Sequence, residues 1–375
     1  MMIYKKPWFV PVLIALALII AILTFDGSGS NGKEKRITIG VALPFTGAAS
    51  DTGELSRNAA LLAQEHLRNK YGSDSVSLIF EDSRYEPKAA VSAVRKLIDI
   101  DKVKYIVGPY SSAEVEASAP LSEDNHVIMI VPGAQSESIS RLGDYIFRLI
   151  HNTAQEAPVF ADFVSKEMEG ETLDFLTVKA SISEPYLGSF TPTFLAAGKE
   201  IGINQQFDTT TTDFRPLLLK IKATGNKDLF LLSPPKLTGI ILKQAAELGV
   251  KRKLFSIGVE SPELVRIAGV TAEGLLYPYS YDSESGNKEA VDFKREYLER
   301  FSVEPDAVAV NTYDGIMLIH SCALADMDVE AVKKCIYNTK NYSGASGTFS
   351  IDGKGDAVRG IFIKTIRGGK FTKLN

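Results

Sequence analysis

Apolar and polar positions along this chain fall into distinct regimes. Residues 8–25 form an unbroken apolar run behind Lys5 and Lys6. Residues 26–32 are small and polar, Asp-Gly-Ser-Gly-Ser-Asn-Gly. From residue 37 onward, short β-branched runs alternate with longer stretches whose apolar residues recur at helical spacing. The run 37–43 reads as a strand. Asp51 and Glu54 form a capping-box pattern, followed by Leu55, Ala59, Leu62, Ala63 and Leu67 on one helical face. Strands are then expected at 76–80, 105–107, 127–131 and 145–149, with helices at 87–99 and 112–121. A second set follows, with helices at 154–168, 186–197, 213–223, 237–248 and 262–268. Its strands are 173–178, 229–232, 254–257 and 275–279. Helices at 288–301, 307–325 and 329–338 precede two closing strands, 347–351 and 360–366. The turn between those strands carries Asp352, Gly353 and Gly355.

Strands alternating with helices predict parallel sheets with helices on both faces. Two such sets predict an α/β fold of two doubly wound lobes. About 340 residues is also more than one hydrophobic core usually spans. Ligands of such sheets bind off the carboxyl ends of the strands, so two lobes can enclose a cleft.

The apolar run 8–25 approaches the roughly 20 residues that a bilayer core requires. Lysines before it and few charges after it place the N-terminus in the cytoplasm and the body outside. Residues 1–25 are then an uncleaved anchor in the inner membrane, or a signal cleaved near the small residues Gly27 to Ser30. Residues 26–36 read as a flexible tether.

Composition narrows the function further. The chain is 45% apolar and 23% charged, and 42 basic against 46 acidic residues give a net charge of −4. The longest basic run is Lys251-Arg252-Lys253, which argues against a nucleic-acid partner. His66, His126, His151 and His320 are scattered without metal-ligand spacing. There is no nucleophile elbow and no phosphate loop, so neither an enzyme nor a cofactor is expected. Cys322 and Cys335 lie on neighbouring predicted helices. An exported location permits a bridge between them, and two buried thiols are the alternative.

Several segments carry a family resemblance. They are Ile39-Gly40-Val41-Ala42-Leu43-Pro44 with Thr46-Gly47 and Gly53, then Phe80-Glu81-Asp82-Ser83 with Pro87 and Ala89-Ala90. Val107-Gly108-Pro109-Tyr110-Ser111-Ser112 and Val131-Pro132-Gly133-Ala134 follow. The distal marks are Tyr313-Asp314-Gly315, Gly347-Thr348-Phe349-Ser350-Ile351-Asp352 and Gly355-Asp356. In this order and spacing the chain resembles the type I periplasmic binding proteins, in the branched-chain amino-acid receptor group, over residues 37–371.

The resemblance implies a three-segment hinge with crossings near 149–152, 279–282 and 343–346. Lobe I would hold 37–150 plus 282–344, and lobe II 151–281 plus 345–375. It further implies a protein that closes on a small polar, carboxylate-bearing solute (an amino acid or a related compound) and delivers it to the membrane subunits of an ABC importer. A sensing module reporting to a separate membrane receptor or kinase is the alternative.

Candidate ligand contacts follow the strand ends. Ser111 and Ser112 open a helix after a strand, where N–H groups and the helix dipole hold an anion or the serines simply cap the helix. Gly133 and Ala134 allow close backbone approach, and Gln135 stands where the family has a threonine. Tyr186 matches a ligand-covering tyrosine of lobe II. A further aromatic expected between Leu232 and Leu237 is replaced by Ser233-Pro234-Pro235. Glu260, with Glu184 as rival, is the candidate partner for a ligand ammonium.

Overall fold

The computed structural model describes residues 36–180, 182–281 and 287–374. The apolar run 8–25 and the tether lie outside these residues. Among the described residues no helix is long and apolar enough to cross a membrane.

Five parallel strands build the first sheet: β1 (Ile37–Leu43), β2 (Val76–Asp82), β3 (Tyr105–Val107), β4 (Ile128–Val131) and β5 (Ile146–Arg148). Their spatial order is β2-β1-β3-β4-β5. Helices α1 (Ser50–Tyr71), α2 (Pro87–Asp99) and α3 (Ser112–Asp124) connect them. The strands are almost wholly apolar because both faces of such a sheet are covered. Ile39, Val41, Val107 and Ile130 are all fully buried.

The second sheet contains β6 (Thr172–Val178), β7 (Glu200–Phe207), β8 (Asp228–Leu232), β9 (Lys253–Ser256) and β10 (Leu276–Tyr279). These strands repeat the first sheet's order, as β7-β6-β8-β9-β10. Two antiparallel strands, β14 (Phe362–Arg367) and β15 (Lys370–Lys373), extend it beyond β10. Helices α4 (Thr153–Glu167), α5 (Ser183–Ala196), α6 (Arg215–Thr224), α7 (Pro235–Glu247) and α8 (Pro262–Ala268) belong to this lobe. The expected doubly wound lobes are therefore present, with the same topology although the sequences show no repeat.

Three further helices, α9 (Lys288–Phe301), α10 (Ala307–Ala325) and α11 (Val329–Tyr337), precede a small antiparallel sheet. That sheet consists of β11 (Tyr342–Gly344), β12 (Gly347–Ile351) and β13 (Ala357–Arg359). Here the structure corrects the sequence-derived boundary. Phe349, Ile351 and Ala357 pack in the same core as Ile37, Val76 and Phe147, so 347–359 sits on lobe I and not lobe II. The chain crosses to β14 only after Arg359. The physical reason is burial: the inward faces of β12 and β13 complete the lobe I core.

An ion pair ties this hairpin to the lobe. Arg148, at the end of β5, is fully buried, and its Nη2 lies 2.7 Å from Asp356 Oδ1. Nε adds a second bond to the same oxygen at 3.0 Å, and Nη1 donates to Ser136 O at 2.6 Å. Asp356 Oδ2 accepts from Ser140 Oγ at 2.6 Å and from Asn152 Nδ2 at 3.0 Å. Asn152 in turn caps α4, its Oδ1 accepting from Gln155 N at 2.9 Å. Elsewhere in this lobe, Cys322 on α10 and Cys335 on α11 are joined by a disulfide.

Replacing Asp356 by Ala strands a buried guanidinium, which should cost about 3–5 kcal/mol in denaturant unfolding. The bridged cysteines are 13 positions apart in the chain. Removal of the bridge in a Cys322→Ser, Cys335→Ser double variant should lower stability by about 3 kcal/mol on the chain-entropy account. Reduction of the parent protein should reproduce that loss.

Candidate functional site

In a doubly wound sheet the crevice opens where strand order reverses, here between β1 and β3 and between β6 and β8. At the first of these points the chain leaves β3 through Gly108, with φ +113°. A Cβ there would lie 2.0 Å from Ala42 O on β1, so only glycine fits.

Ser111 is the N-cap of α3 and forms a capping box with Glu114. Ser111 N and Oγ both donate to Glu114 Oε2, at 2.8 and 2.7 Å. Glu114 is fully buried. The first turn of α3 is thus already met by a carboxylate of the chain itself. Ser112 faces the neighbouring loop, its Oγ accepting from Ser136 N at 3.2 Å.

Gly133 is required for a reason the sequence did not reveal. A Cβ at this position would stand 2.5 Å from the Tyr110 ring. Glycine admits that ring, which in turn packs near Tyr85 with centroids 5.7 Å apart. Ala134 is buried, and its carbonyl faces Arg148 Nη1 at 3.4 Å. Gln135 Nε2 lies 2.9 Å from His151 Nε2 at the first crossing. His151 also pairs with Glu156 of α4, and both are buried. Asn311, fully buried on α10, holds this loop from behind through a 2.9 Å bond from Nδ2 to Pro132 O.

Tyr186 departs from the expectation. Its side chain is 1% exposed, in one core with Phe190 and Phe230. Rings at 6.5 and 6.0 Å surround it, so in this arrangement it is a core residue out of a solute's reach. Burial pushes its hydroxyl far above the usual range, with Glu156 nearby adding to the effect. Glu156, which pairs with His151 beside Gln135, also acts on Tyr186.

Glu260 stands in a separate group. Its Oε1 pairs with Lys364 of β14 and accepts from Tyr277 OH at 2.9 Å. Burial raises the Glu260 carboxyl, and Lys364 offsets part of that shift. The Lys364 ammonium also sits 4.7 Å from the Tyr279 ring centroid. Tyr279 OH accepts from Ala307 N at 2.9 Å, which joins the end of β10 to the start of α10. The rival, Glu184, is exposed and faces Gln206 Nε2 at 3.4 Å.

Ser111, Ser112, Gly133, Ala134 and Gln135 thus share one wall, whereas Glu260 lies with Lys364, and Tyr186 lies in the core. Sequence reasoning missed Tyr110, Asp306 and Lys364. Asp306 caps α10, its Oδ1 accepting from Ala309 N at 2.7 Å. Asp306 bears electrostatically on both Tyr110 and Tyr279. Only the Asp306–Ala309 spacing gave a local signal, as an ordinary N-cap pattern.

Known proteins share this fold. The family model described as periplasmic binding protein matches residues 36–370. The leucine-, isoleucine-, valine-, threonine-, and alanine-binding protein of Pseudomonas aeruginosa is 26% identical over 330 residues, spanning 85% of this chain and 87% of that protein. A leucine binding protein from Thermotoga maritima superposes with a TM-score of 0.84 at 26% identity, over 90% of this chain and 98% of that one. A solute binding protein of an ABC transporter from Rhodopseudomonas palustris, in complex with 3,4-dihydroxybenzoic acid, gives 0.80 at 25% identity, over 91% and 97%.

Burial raises the Asp306 carboxyl to about 6, against the counter-effect of the Ala309 N–H and Thr52. Free aspartate titrates near 3.9, so the unfolded chain loses its proton first as pH rises. The stabilising contribution is complete below about pH 4 and is lost as pH rises through about 6. Asp306→Asn keeps a competent cap and removes the titration. In urea unfolding it should gain on the order of 2 kcal/mol relative to the parent between pH 4 and 7.

Proposed function

Because this chain belongs to the periplasmic binding protein family, we propose that its lobes close on a small carboxylate-bearing solute lacking a free ammonium group, for delivery to an ABC importer. The family is one of solute-binding proteins and implies an extracytoplasmic location. A tether through residues 8–25, to the outer face of the cytoplasmic membrane, is part of the proposal.

One observation carries the ligand class. The glutamate that the sequence offers to an amino-acid ammonium, Glu260, already has Lys364 as its partner. A second cation would have to displace that lysine and leave it buried and unpaired, at a cost of several kcal/mol. A carboxylate faces no such obstacle. Capping occupies the N–H groups of Ser111 and Glu114, whereas those of Ser112 and Ala113 belong to the free first turn of α3. These N–H groups and the positive end of the helix suit an anion. The Rhodopseudomonas palustris neighbour, with its dihydroxybenzoic acid, supports the same class. Tyr110 and Tyr85 beside this wall would suit a planar acid.

Binding would shift an open–closed equilibrium by as much as the solute prefers the closed form. A thermal-shift series on the full chain with benzoate, 3,4-dihydroxybenzoate, leucine and alanine tests the reading. Stabilisation should reach about 2.7 kcal/mol at one hundred times the Kd for an aromatic acid. Leucine should do far less. A leucine response with none from the aromatic acids would overturn the assignment.

A further inference from the structure

Two successive residues that carry a Cβ, Arg84 and Tyr85, adopt left-handed backbone, with φ of 56° and 61°. Such backbone is unfavourable for bulky side chains and persists only where the surroundings hold it, often at binding sites. Here the exits of β1 and β2 hold it. Ser83 N donates to Leu43 O at 3.0 Å, and Glu86 N donates back to Ser83 O at 3.0 Å. Asp82, the last residue of β2, accepts from Thr46 N at 3.2 Å, from Thr46 Oγ1, and from Arg84 N at 3.0 Å. Gly47 lies against the turn, for a Cβ on it would stand 2.5 Å from Arg84 O.

The turn delivers Tyr85 to the reversal point of the sheet. Strand β1 lies between β2 and β3, so the exits of β2 and β3 are two strand spacings apart, about 10 Å. Yet the Tyr85 ring, from the exit of β2, lies 5.7 Å from the Tyr110 ring, from the exit of β3. The turn and the two side chains together span the end of β1. Burial and then the charge of Glu114, in the first turn of α3, raise the Tyr85 hydroxyl above its usual range. Tyr85 therefore stands beside the wall that carries Ser111 and Ser112. The two rings differ in freedom: Tyr110 is pressed against Gly133, whereas Tyr85 is 44% exposed.

Building on the carboxylate-bearing solute proposed above, we propose that Tyr85 determines specificity within that class. Its exposed ring, beside Tyr110, is a stacking surface for the planar part of the solute and sets a preference for aromatic over short aliphatic acids. An aliphatic chain gains only buried area from such a surface, whereas a ring adds an offset or edge contact with the tyrosine. The unfavourable backbone then has a use. It holds the ring in place before the solute arrives, so binding does not have to order it.

Calorimetric titration of the full chain with benzoate and with butyrate tests this role. Tyr85→Asn removes the ring, and asparagine tolerates left-handed backbone, so the variant should fold. It should weaken benzoate binding about tenfold and butyrate binding less than about threefold. Tyr85→Phe keeps the ring and should bind benzoate within about twofold of the parent. Undiminished benzoate binding by Tyr85→Asn, or equal losses for the two acids, would overturn the role of Tyr85 and leave the ligand class standing. So would a loss in Tyr85→Phe as large as that in Tyr85→Asn, because the ring would then not be the group that selects. A parent protein that binds no aromatic acid would overturn both the ligand class and this role.

Discussion

The pairing of Arg148 with Asp356 is the constraint on which the cleft depends. One guanidinium holds the carbonyls of the 134–136 loop, and the carboxylate opposite holds the cap of α4. The first element carries Gln135, and the second begins the helix that carries Glu156. A buried ion pair adds little net stability over an apolar substitute, because desolvation offsets the Coulomb gain. Its value here is positional. The pair anchors a strand end, a hairpin turn, the 134–136 loop and the start of α4 to one point, with each remaining polar atom satisfied by a neighbour.

The same economy governs the charges near the cleft. Helix α3 offers an anion-binding end, yet Glu114 takes part of it. Glu260 offers a cation-binding carboxylate, yet Lys364 neutralises it. An empty cleft with bare charges would carry the desolvation cost of each whenever the lobes came together. Internal partners remove that cost in the unliganded protein. On the proposed reading a solute would compete with groups already in place, so its selectivity would come from what remains unpaired and not from every polar residue at the strand ends.

Much of the fold was legible because local pattern and tertiary role coincide. The β-branched run 37–43 is β1, Pro87 opens α2, and Pro262 opens α8. Two failures show where pattern loses authority. Strand β7 was missed because Glu200–Phe207 is an edge strand with one neighbour and mostly exposed or half-buried residues, so its alternation is weak. The capping box at Asp51 and Glu54 does not form. Helix α1 begins at Ser50 after an Ala49 cap without a side-chain bond, and Glu54 turns to Arg57. The cause is packing: a Cβ at Gly53 would lie 2.0 Å from Pro44 O, so the exit of β1 sets where the helix starts. In the site, the strand-end loops were legible and their partners were not. Arg148 and Asp356 are 208 residues apart, and Glu260 meets Lys364 only because β14 is laid antiparallel beside β10. Neither pairing leaves a trace in local spacing.

A hinge rotation moves atoms in proportion to their distance from its axis. The bonds from Asn152 to Asp356 and from Tyr279 to Ala307 lie at or beside the crossings. In a hinged closure such bonds would survive small rotations and contribute nearly equally to open and closed forms. A bond present in both forms cannot drive the change between them, however strong it is. The free energy of closure must therefore come from contacts farther along the strand-end loops, made only when a solute fills the gap. On the proposed reading, anchoring at the crossings and unpaired N–H groups at the helix end complement each other. The first would fix the path of the lobes, and the second would leave the solute to decide how far along it they travel.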